Sequence, residues 1–280
     1  MKKILFSLLL ILVTVSYSVA QSDSSVFVSA RWNTQKIARG VRWKHYSFKG
    51  LFGANQYINI LEIKNGAKDL DLGYERQVLK LTSDFGKEAK AIAAINGTFF
   101  DVKNGGSVDF IRSNGEVINE NRLDEDHSRA RHQKAAIVLE KGKLQISKWD
   151  QTEDWEKKIE GEDVMVSGPL LIFNKTIEPQ DSNAFVKLRH PRAAIAVVKN
   201  KVLFITVDGR DPNSAGMNLY ELTKIIKWLG ADDGINLDGG GSTTLWIHDQ
   251  PENGVVNFPS DDKKWGHAGE RKVANVLLLK

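Results

Sequence analysis

The sequence contains no cysteine among its 280 residues, and this absence excludes several kinds of protein at once. Without thiols there is no disulfide framework, no thiolate metal site and no lipid attached through cysteine. The fold must therefore be stabilised by an apolar core, and a hydrophobic content of 41% is sufficient for one.

Long apolar runs are also scarce, and the longest lies at the start of the chain. Met1-Lys2-Lys3 is positively charged, residues 4–15 are almost entirely apolar, and Ser18-Val19-Ala20 offers small residues to a signal peptidase. This pattern predicts a secretory signal peptide at residues 1–20 and one mature domain at residues 21–280. The run is too short to span a membrane comfortably, so we expect no membrane anchor after cleavage. The predicted location is the periplasm or the extracellular space.

The sequence has little net charge. The total of +4 includes Lys2 and Lys3, so +2 remains after cleavage. No cluster of basic residues is interleaved with aromatic ones, which argues against a nucleic-acid partner. No His-Glu-x-x-His or calcium-loop spacing occurs, and we predict no metal and no cofactor. An ion shared by Asp208 and Asp238 is the alternative that stays open.

Short β-branched and aromatic segments bounded by turn residues predict strands and hairpins. They are residues 56–64, 91–100, 134–146 with a turn at Lys141-Gly142, 193–207 with a turn at Lys199-Asn200-Lys201, and 272–279.

One helix is clearly indicated. Asn218 and Glu221 form a variant of the capping box, and Gly230 supplies a stop signal. The apolar residues between them share one helical face; they are Leu219, Leu222, Ile225, Ile226 and Leu229. Many strands with few helices predict an α+β fold, a single domain with a mixed β-sheet core and one strand-helix-strand unit.

Two polar stretches interrupt the strand pattern. Residues 119–134 are rich in charge and include His127 and His132, and residues 150–163 are acidic. Solvated loops or surface helices are the favoured interpretation of both. The alternative for the first stretch is that it covers a site.

The residues that most clearly indicate a ligand-binding or catalytic site lie in the segment 202–244. A strand ends in Asp208-Gly209-Arg210, a helix follows, and a second strand ends in Asp238. Strands joined by one helix are normally parallel, so both aspartates are expected at the same edge of a sheet, where ligands bind. The glycines after Asp238, residues 239–241, can form a turn whose N–H groups bind an anion such as phosphate.

The motifs taken together resemble those of the phosphodiester glycosidase family. In the family's order they are Asn96-Gly97-Thr98-Phe99-Phe100, His190-Pro191-Arg192-Ala193-Ala194, Val207-Asp208-Gly209-Arg210 with Ser214-Ala215-Gly216-Met217, Asn236-Leu237-Asp238-Gly239-Gly240-Gly241-Ser242-Thr243-Thr244, and Gly269-Glu270-Arg271. They cover residues 91–280. His190 stands where the family usually has Asn, and Ala193 where it usually has Thr.

The resemblance implies a hydrolase that cleaves the C1–O bond of a sugar-1-phosphodiester, of the N-acetylglucosamine-1-phosphodiester kind. Paired carboxylates are the usual equipment for glycoside hydrolysis. The expected catalytic residues are Asp238, Glu270 and Asp208. The expected substrate-binding residues are Asn96, Thr98, Arg192, Arg210, Ser214, Asn236, Gly239, Gly240, Gly241 and Ser242.

Two other functions stay open. One is a non-catalytic glycan-binding protein of the cell envelope with the same fold. The other is a phosphodiesterase that attacks phosphorus, a reaction that commonly uses two divalent metals. The sequence shows no obvious cluster of metal ligands for the latter.

Overall fold

The structure is a computed structural model that describes residues 22–123, 125 and 128–280. The predicted signal peptide and His127 lie outside the described residues. In chain order the strands are β1 (Asn33–Ala38), β2 (Val41–Leu51), β3 (Ala54–Lys64), β4 (Leu70–Tyr74), β5 (Ala93–Asn96), β6 (Ile111–Ser113), β7 (Glu116–Asn119), β8 (Ala135–Glu140), β9 (Lys143–Lys148), β10 (Asp163–Val166), β11 (Leu170–Phe173), β12 (Thr176–Ile177), β13 (Arg192–Val198), β14 (Lys201–Val207), β15 (Asp233–Asn236), β16 (Leu245–Ile247) and β17 (Asn275–Leu279). The helices are α1 (Asp23–Val28), α2 (Thr82–Glu88), α3 (Trp155–Lys158), α4 (Ala184–Lys187) and α5 (Leu219–Trp228).

The strands form three sheets around a common core. The largest has eight strands in the order β1-β2-β3-β14-β13-β15-β11-β12. A five-stranded sheet has the order β7-β6-β10-β8-β9, and a four-stranded sheet the order β16-β5-β17-β4. One apolar cluster draws side chains from all three sheets, for example Phe204, Ile137 and Leu277.

The central strands of the largest sheet are buried on both faces. In β14, Phe204 packs into the common core, whereas Leu203 and Ile205 pack on the opposite face against α5. Alternate residues of a strand point to opposite faces, so a strand covered on both sides reads as a continuous apolar run. This explains why the sequence of 193–207 lacks polar alternation.

The strand predictions are confirmed with shifted bounds. Residues 56–64 fall within β3, the two predicted hairpins are β8–β9 and β13–β14, and the last predicted strand contains β17. The polar stretch 150–163 holds the short helix α3, and residues 131–133 of the stretch 119–134 form a 3₁₀ turn.

Helix α5 begins as predicted. The Asn218 side chain accepts the N–H of Glu221 at 2.8 Å, and the Glu221 carboxylate accepts the N–H of Asn218 at 3.1 Å. Gly230 follows the last turn with a φ of 82°, which a glycine adopts without strain. Within the described residues, no helix combines the length and the apolar character needed to cross a membrane.

The strand-helix-strand unit brings two strand ends to one edge. Strands β14 and β15 both pair antiparallel with β13, so they run parallel to each other with β13 between them. Every hydrogen-bonded strand pair in the described residues is antiparallel. Strands β14 and β15 are parallel to each other but are not hydrogen-bonded to each other, because β13 lies between them. The α+β fold is confirmed, but the prediction of a mixed sheet is wrong, because β13 lies between the two parallel strands and pairs antiparallel with both.

Candidate active site

Asp208 and Asp238 lie at the same edge of the largest sheet, as the sequence predicts. Asp208 follows β14, and Asp238 comes two residues after β15. The start of β13 lies between them, because Arg192 pairs with Val207 and the N–H of Leu237 bonds to the carbonyl of Ala193. The two carboxylates nevertheless have different surroundings.

Asp238 is held where the largest and the four-stranded sheets meet. Its N–H donates to the carbonyl of Gly97 at 3.0 Å, and its carbonyl accepts the Asn96 side-chain amide at 2.7 Å. Its Oδ1 accepts the N–H of Gly239 at 2.9 Å. The residue is partly exposed, so solvent can reach it.

The surroundings of the Asp238 carboxyl favour its protonated form. Burial raises the pKa of Asp238 to about 6, and the nearby charge of Asp109 adds to the increase. The hydrogen bond from the Gly239 N–H and the positive charge of Arg271 act in the opposite direction. A carboxyl with such a pKa changes its protonation state near neutral pH, as groups in active sites often do.

Asp109, whose charge acts on Asp238, belongs to a carboxylate–imidazole pair that the motifs did not indicate. Asp109 is fully buried, and it accepts hydrogen bonds from Thr98 Oγ1 at 2.9 Å and from Gln133 Nε2 at 3.0 Å. His132 Nε2 lies 3.1 Å from Asp109 Oδ1, and 29% of the His132 side chain is exposed. His132 lines a pocket of about 280 Å³ together with Phe99 and Phe185.

A basic cleft of about 220 Å³ lies next to the glycine turn that follows Asp238. Its lining includes Arg210, Arg271, Lys263, Lys264 and Trp265. Arg210 is exposed and makes no ion pair with a described residue, whereas Arg271 pairs with Asp261 through an Nε–Oδ1 contact of 2.9 Å. The cleft therefore carries an excess of positive charge suited to an anion.

The glycine turn is shaped for close approach of these arginines. Gly240 has a φ of 61°, and a Cβ there would lie 2.9 Å from Arg210 Nη2. A Cβ at Gly241 would lie 2.6 Å from Arg271 Nη2. The N–H of Gly240 donates to the carbonyl of Pro191 at 2.9 Å. Of the N–H groups of residues 239–243, only that of Gly241 makes no hydrogen bond to a described residue. The glycine turn, which was predicted to bind an anion through several N–H groups, therefore offers one N–H donor.

Arg192 is 1% exposed and lies inside the protein, where its guanidinium group supports the loops of the site. Its Nε donates to the carbonyl of Met217 at 2.8 Å, and its Nη2 donates to the carbonyl of Phe185 at 2.7 Å. Burial lowers the pKa of Arg192 to about 10, and the like charge of Arg210 contributes. This position differs from an open phosphate clamp, because two of the three guanidinium nitrogens bind backbone carbonyls.

Asp208 is fully buried, unlike Asp238. Its Oδ1 accepts the Asn257 side-chain amide at 2.9 Å and the N–H of Phe258 at 3.0 Å, while its Oδ2 has no partner. Burial raises the pKa of Asp208 to about 7. The ring of Phe258 stacks on Trp265 at 4.0 Å, so Asp208 anchors a wall of the basic cleft.

Glu270 takes a place that the sequence did not predict. Its Oε2 accepts the N–H of Ser83 at 3.0 Å, in the first turn of α2. Burial raises its pKa, and the charges that act on it are those of Asp84 and Lys87. A carboxylate is stabilised at a helix start, so this contact stabilises α2, and no hydrogen bond joins Glu270 to Asp238 in the described residues.

Four polar side chains predicted to bind substrate are engaged inside the protein. Asn96 connects Asp238 to Thr244, and Thr98 donates to Asp109. Ser214 donates to the carbonyl of Asp208 at 2.5 Å, and Asn236 donates to the carbonyl of Gly168 at 2.9 Å. All four are buried, as is Ser242 beside Asp238. They support the loops of the site instead of facing an open cleft.

Among the described residues, no group of three or more His, Asp or Glu side chains is placed to hold a metal ion. Of the residues that the motifs did not single out, His132 had a signal in the sequence, because it lies in the polar stretch 119–134. Asp109 had none.

The burial of Asp208 predicts how stability depends on pH. Its pKa of about 7 in the folded protein exceeds its ordinary value of 3.8, so the folded state holds the proton more tightly than the unfolded state does. The contribution of Asp208 to stability therefore falls as the pH rises from about 4 to about 7. Asp208→Asn keeps the acceptor for Asn257 and Phe258 and cannot ionise.

We expect Asp208→Asn to equal the wild type in free energy of unfolding at pH 4. At pH 8 it should exceed the wild type by roughly 4 kcal/mol. Urea unfolding at both pH values measures this, with the exposed Asp249→Asn as the control. A variant that is less stable than the wild type at pH 8 would show that the charged carboxylate is needed for folding.

Comparison with known proteins agrees with this architecture. The family model of phosphodiester glycosidases matches residues 89–280. No curated protein sequence matches the chain significantly.

Two solved structures show the same fold. One is the catalytic domain of zebrafish N-acetylglucosamine-1-phosphodiester alpha-N-acetylglucosaminidase, auto-inhibited by its pro-peptide, with a TM-score of 0.66, 19% identity and coverage of 95% of both chains. The other is a hypothetical protein from Synechocystis, with a TM-score of 0.64, 15% identity and coverage of 90% of this chain. This chain spans 64% of the Synechocystis protein.

The motifs occur in the family's order, they build the edge of the largest sheet, and the family model matches residues 89–280. The chain therefore belongs to the phosphodiester glycosidase family.

Proposed function

We propose that this protein hydrolyses the bond between the anomeric carbon and the bridging oxygen of a sugar-1-phosphodiester. The observation that carries the proposal is the position of Asp238. The charges of two groups act on this partly exposed carboxyl: that of Arg271, which lines the basic cleft, and that of Asp109, which pairs with His132. The family and the activity named for the zebrafish relative support the same reaction class.

The basic cleft suits the phosphate of such a substrate. Arg210 and Arg271 flank the glycine turn, and the buried charge of Arg192 lies below it. Guanidinium groups bind phosphate oxygens through pairs of hydrogen bonds. As the C1–O bond breaks, negative charge develops on the departing phosphate, and positive groups already in place stabilise it.

Asp238 is the group we assign to the sugar carbon. In its charged form it stabilises the positive charge that develops on the ring during glycoside cleavage. The water oxygen forms a bond to C1, and the electron pair of the C1–O bond leaves with the phosphate. We assign the proton of the attacking water to His132, whose Nε2 is oriented by Asp109.

We also propose that the enzyme works outside the cytoplasm, on an exported glycan or glycoconjugate. The support is the signal-peptide pattern of residues 1–20.

A non-catalytic glycan-binding protein is the second candidate, and one observation favours it. Glu270, the second predicted carboxylate, accepts the N–H of Ser83 at the start of α2 and makes no hydrogen bond to Asp238 in the described residues. A binding protein would take up the sugar phosphodiester and release it unchanged.

We expect Asp238→Asn to reduce kcat on an α-linked sugar-1-phosphodiester at least a hundredfold, a loss on the order of 3 kcal/mol of transition-state stabilisation. The melting temperature should not fall, because the change is isosteric and removes a buried charge. Turnover of UDP-linked and chromogenic substrates by the purified mature protein measures the effect, with Asp249→Asn as the matched control. Near wild-type kcat in Asp238→Asn would refute the catalytic role of this residue. Binding without turnover by the wild type would favour the binding protein.

We expect Arg210→Gln to reduce kcat/KM for the same substrates roughly a hundredfold, because a donor to the phosphate is lost. Stability should stay unchanged, since Arg210 makes no ion pair with a described residue. Arg31→Gln, which replaces another exposed arginine, is the control. The assignment fails if both variants have the same kcat/KM as the wild type.

A further inference from the structure

A second basic cavity lies at the other end of the largest sheet. It has a volume of about 980 Å³. It is bordered by the β1–β2 turn, the end of β3, the β13–β14 turn and the C-terminal end of α5. Strand β14 begins at this cavity with Lys201 and ends at Val207, directly before Asp208, so the two ends are roughly 20 Å apart. We call this cavity the distal cleft.

The distal cleft concentrates positive charge. Six exposed basic residues line it, together with a single carboxylate, Glu62. The six are Lys36, Arg39, Arg42, Lys64, Lys199 and Lys201. Glu62 is already paired with Lys44 at 2.6 Å and with Lys201 at 3.4 Å. The other five cations of the cleft form no ion pair with a described residue.

This arrangement costs the folded protein energy through mutual repulsion. Like charges that converge from separate elements destabilise the compact state unless something neutralises them. Three separate chain segments supply the cations here, the β1–β2 turn, the end of β3 and the β13–β14 turn, so the cluster is a product of the tertiary structure and not of one basic stretch of sequence.

The remaining lining limits the chemistry of a ligand. None of the described residues that line the cleft is aromatic, so it offers no surface on which nucleobases could stack. The large apolar side chains that are exposed, such as Val28 and Leu188, lie elsewhere, so nothing at the cleft is suited to insert among lipid chains. The volume exceeds what a single phosphate ion needs.

We propose that the distal cleft binds a flexible polyanion whose charges repeat along the chain, of the class of phosphodiester-linked glycans. Lysine and arginine side chains from separate segments contact successive anionic groups, and binding releases the counterions of the polymer. The proposal goes beyond the glycosidase activity and holds whether or not Asp238 is catalytic.

Fluorescence anisotropy with labelled poly(glycerol phosphate) and the purified mature protein tests the proposal. Arg39→Glu/Arg42→Glu reverses two charges at the β1–β2 turn. Lys36→Gln/Lys199→Gln is the milder variant, because it only removes two charges, one on β1 and one on the β13–β14 turn. Lys49→Glu/Lys103→Glu is the control. It replaces two exposed lysines outside the cleft and changes the net charge by the same amount as the first variant. The melting temperature of each variant is measured alongside.

We expect both cleft variants to weaken binding about tenfold and to flatten the dependence of log K on log salt concentration. The control should bind like the wild type, and turnover of a small sugar-1-phosphodiester should be unchanged in all variants. Equal losses in cleft and control variants would overturn the proposal, because binding would then follow net charge alone. Wild-type binding by both cleft variants would also overturn it.

Two competitors decide the class of ligand. If single-stranded DNA displaces the polymer at lower concentration than unlabelled poly(glycerol phosphate) does, the cleft is a nucleic-acid site and the proposal is wrong. If the cleft residues are needed for binding to phosphatidylglycerol vesicles and not to the soluble polymer, the cleft is a membrane site and the proposal is equally wrong.

Discussion

The candidate site depends on one buried amide, the side chain of Asn96. It donates to the carbonyl of Asp238 at 2.7 Å and accepts the N–H of Thr244 at 3.0 Å. Asn96 ends β5 of the four-stranded sheet, whereas Asp238 follows β15 of the largest sheet. This side chain therefore joins the two sheets at the position where the carboxyl is presented. Buried backbone groups are costly when unpaired, which makes the junction rigid.

The two aspartates illustrate how burial separates similar motifs. Both follow parallel strands and precede glycine, yet Asp208 is sealed beneath Phe258 while Asp238 reaches solvent. We therefore assign the chemistry to Asp238 and a supporting role to Asp208, whose hydrogen bonds fix the wall of the basic cleft. The positive charge of Arg271 and the negative charge of Asp109 both act on Asp238, and we infer that the basic cleft takes the phosphate of a substrate whose sugar lies at Asp238.

Much of the fold could be predicted from the sequence, because local patterns determined it. The cap of α5, the turn between β13 and β14 and the apolar run of β14 each have a local physical cause. The site was harder to predict. Asn96 was expected to bind sugar, but a motif does not reveal whether a polar side chain faces solvent or the backbone of a neighbouring loop. Glu270 and Arg271 are adjacent, and the sequence could not tell which of them faces the glycine turn. Asp109 reaches Asp238 through contacts between sheets that no local pattern reports.

The central claim is that the bond broken lies between the sugar carbon and the bridging oxygen. Hydrolysis of a sugar-1-phosphodiester in ¹⁸O-labelled water tests it directly, with mass spectrometry of both products. Attack at the anomeric carbon, with Asp238 at that carbon and the arginines at the departing phosphate, predicts that the label appears in the released sugar. Label in the phosphate product would mean that water attacks phosphorus, and it would contradict this account.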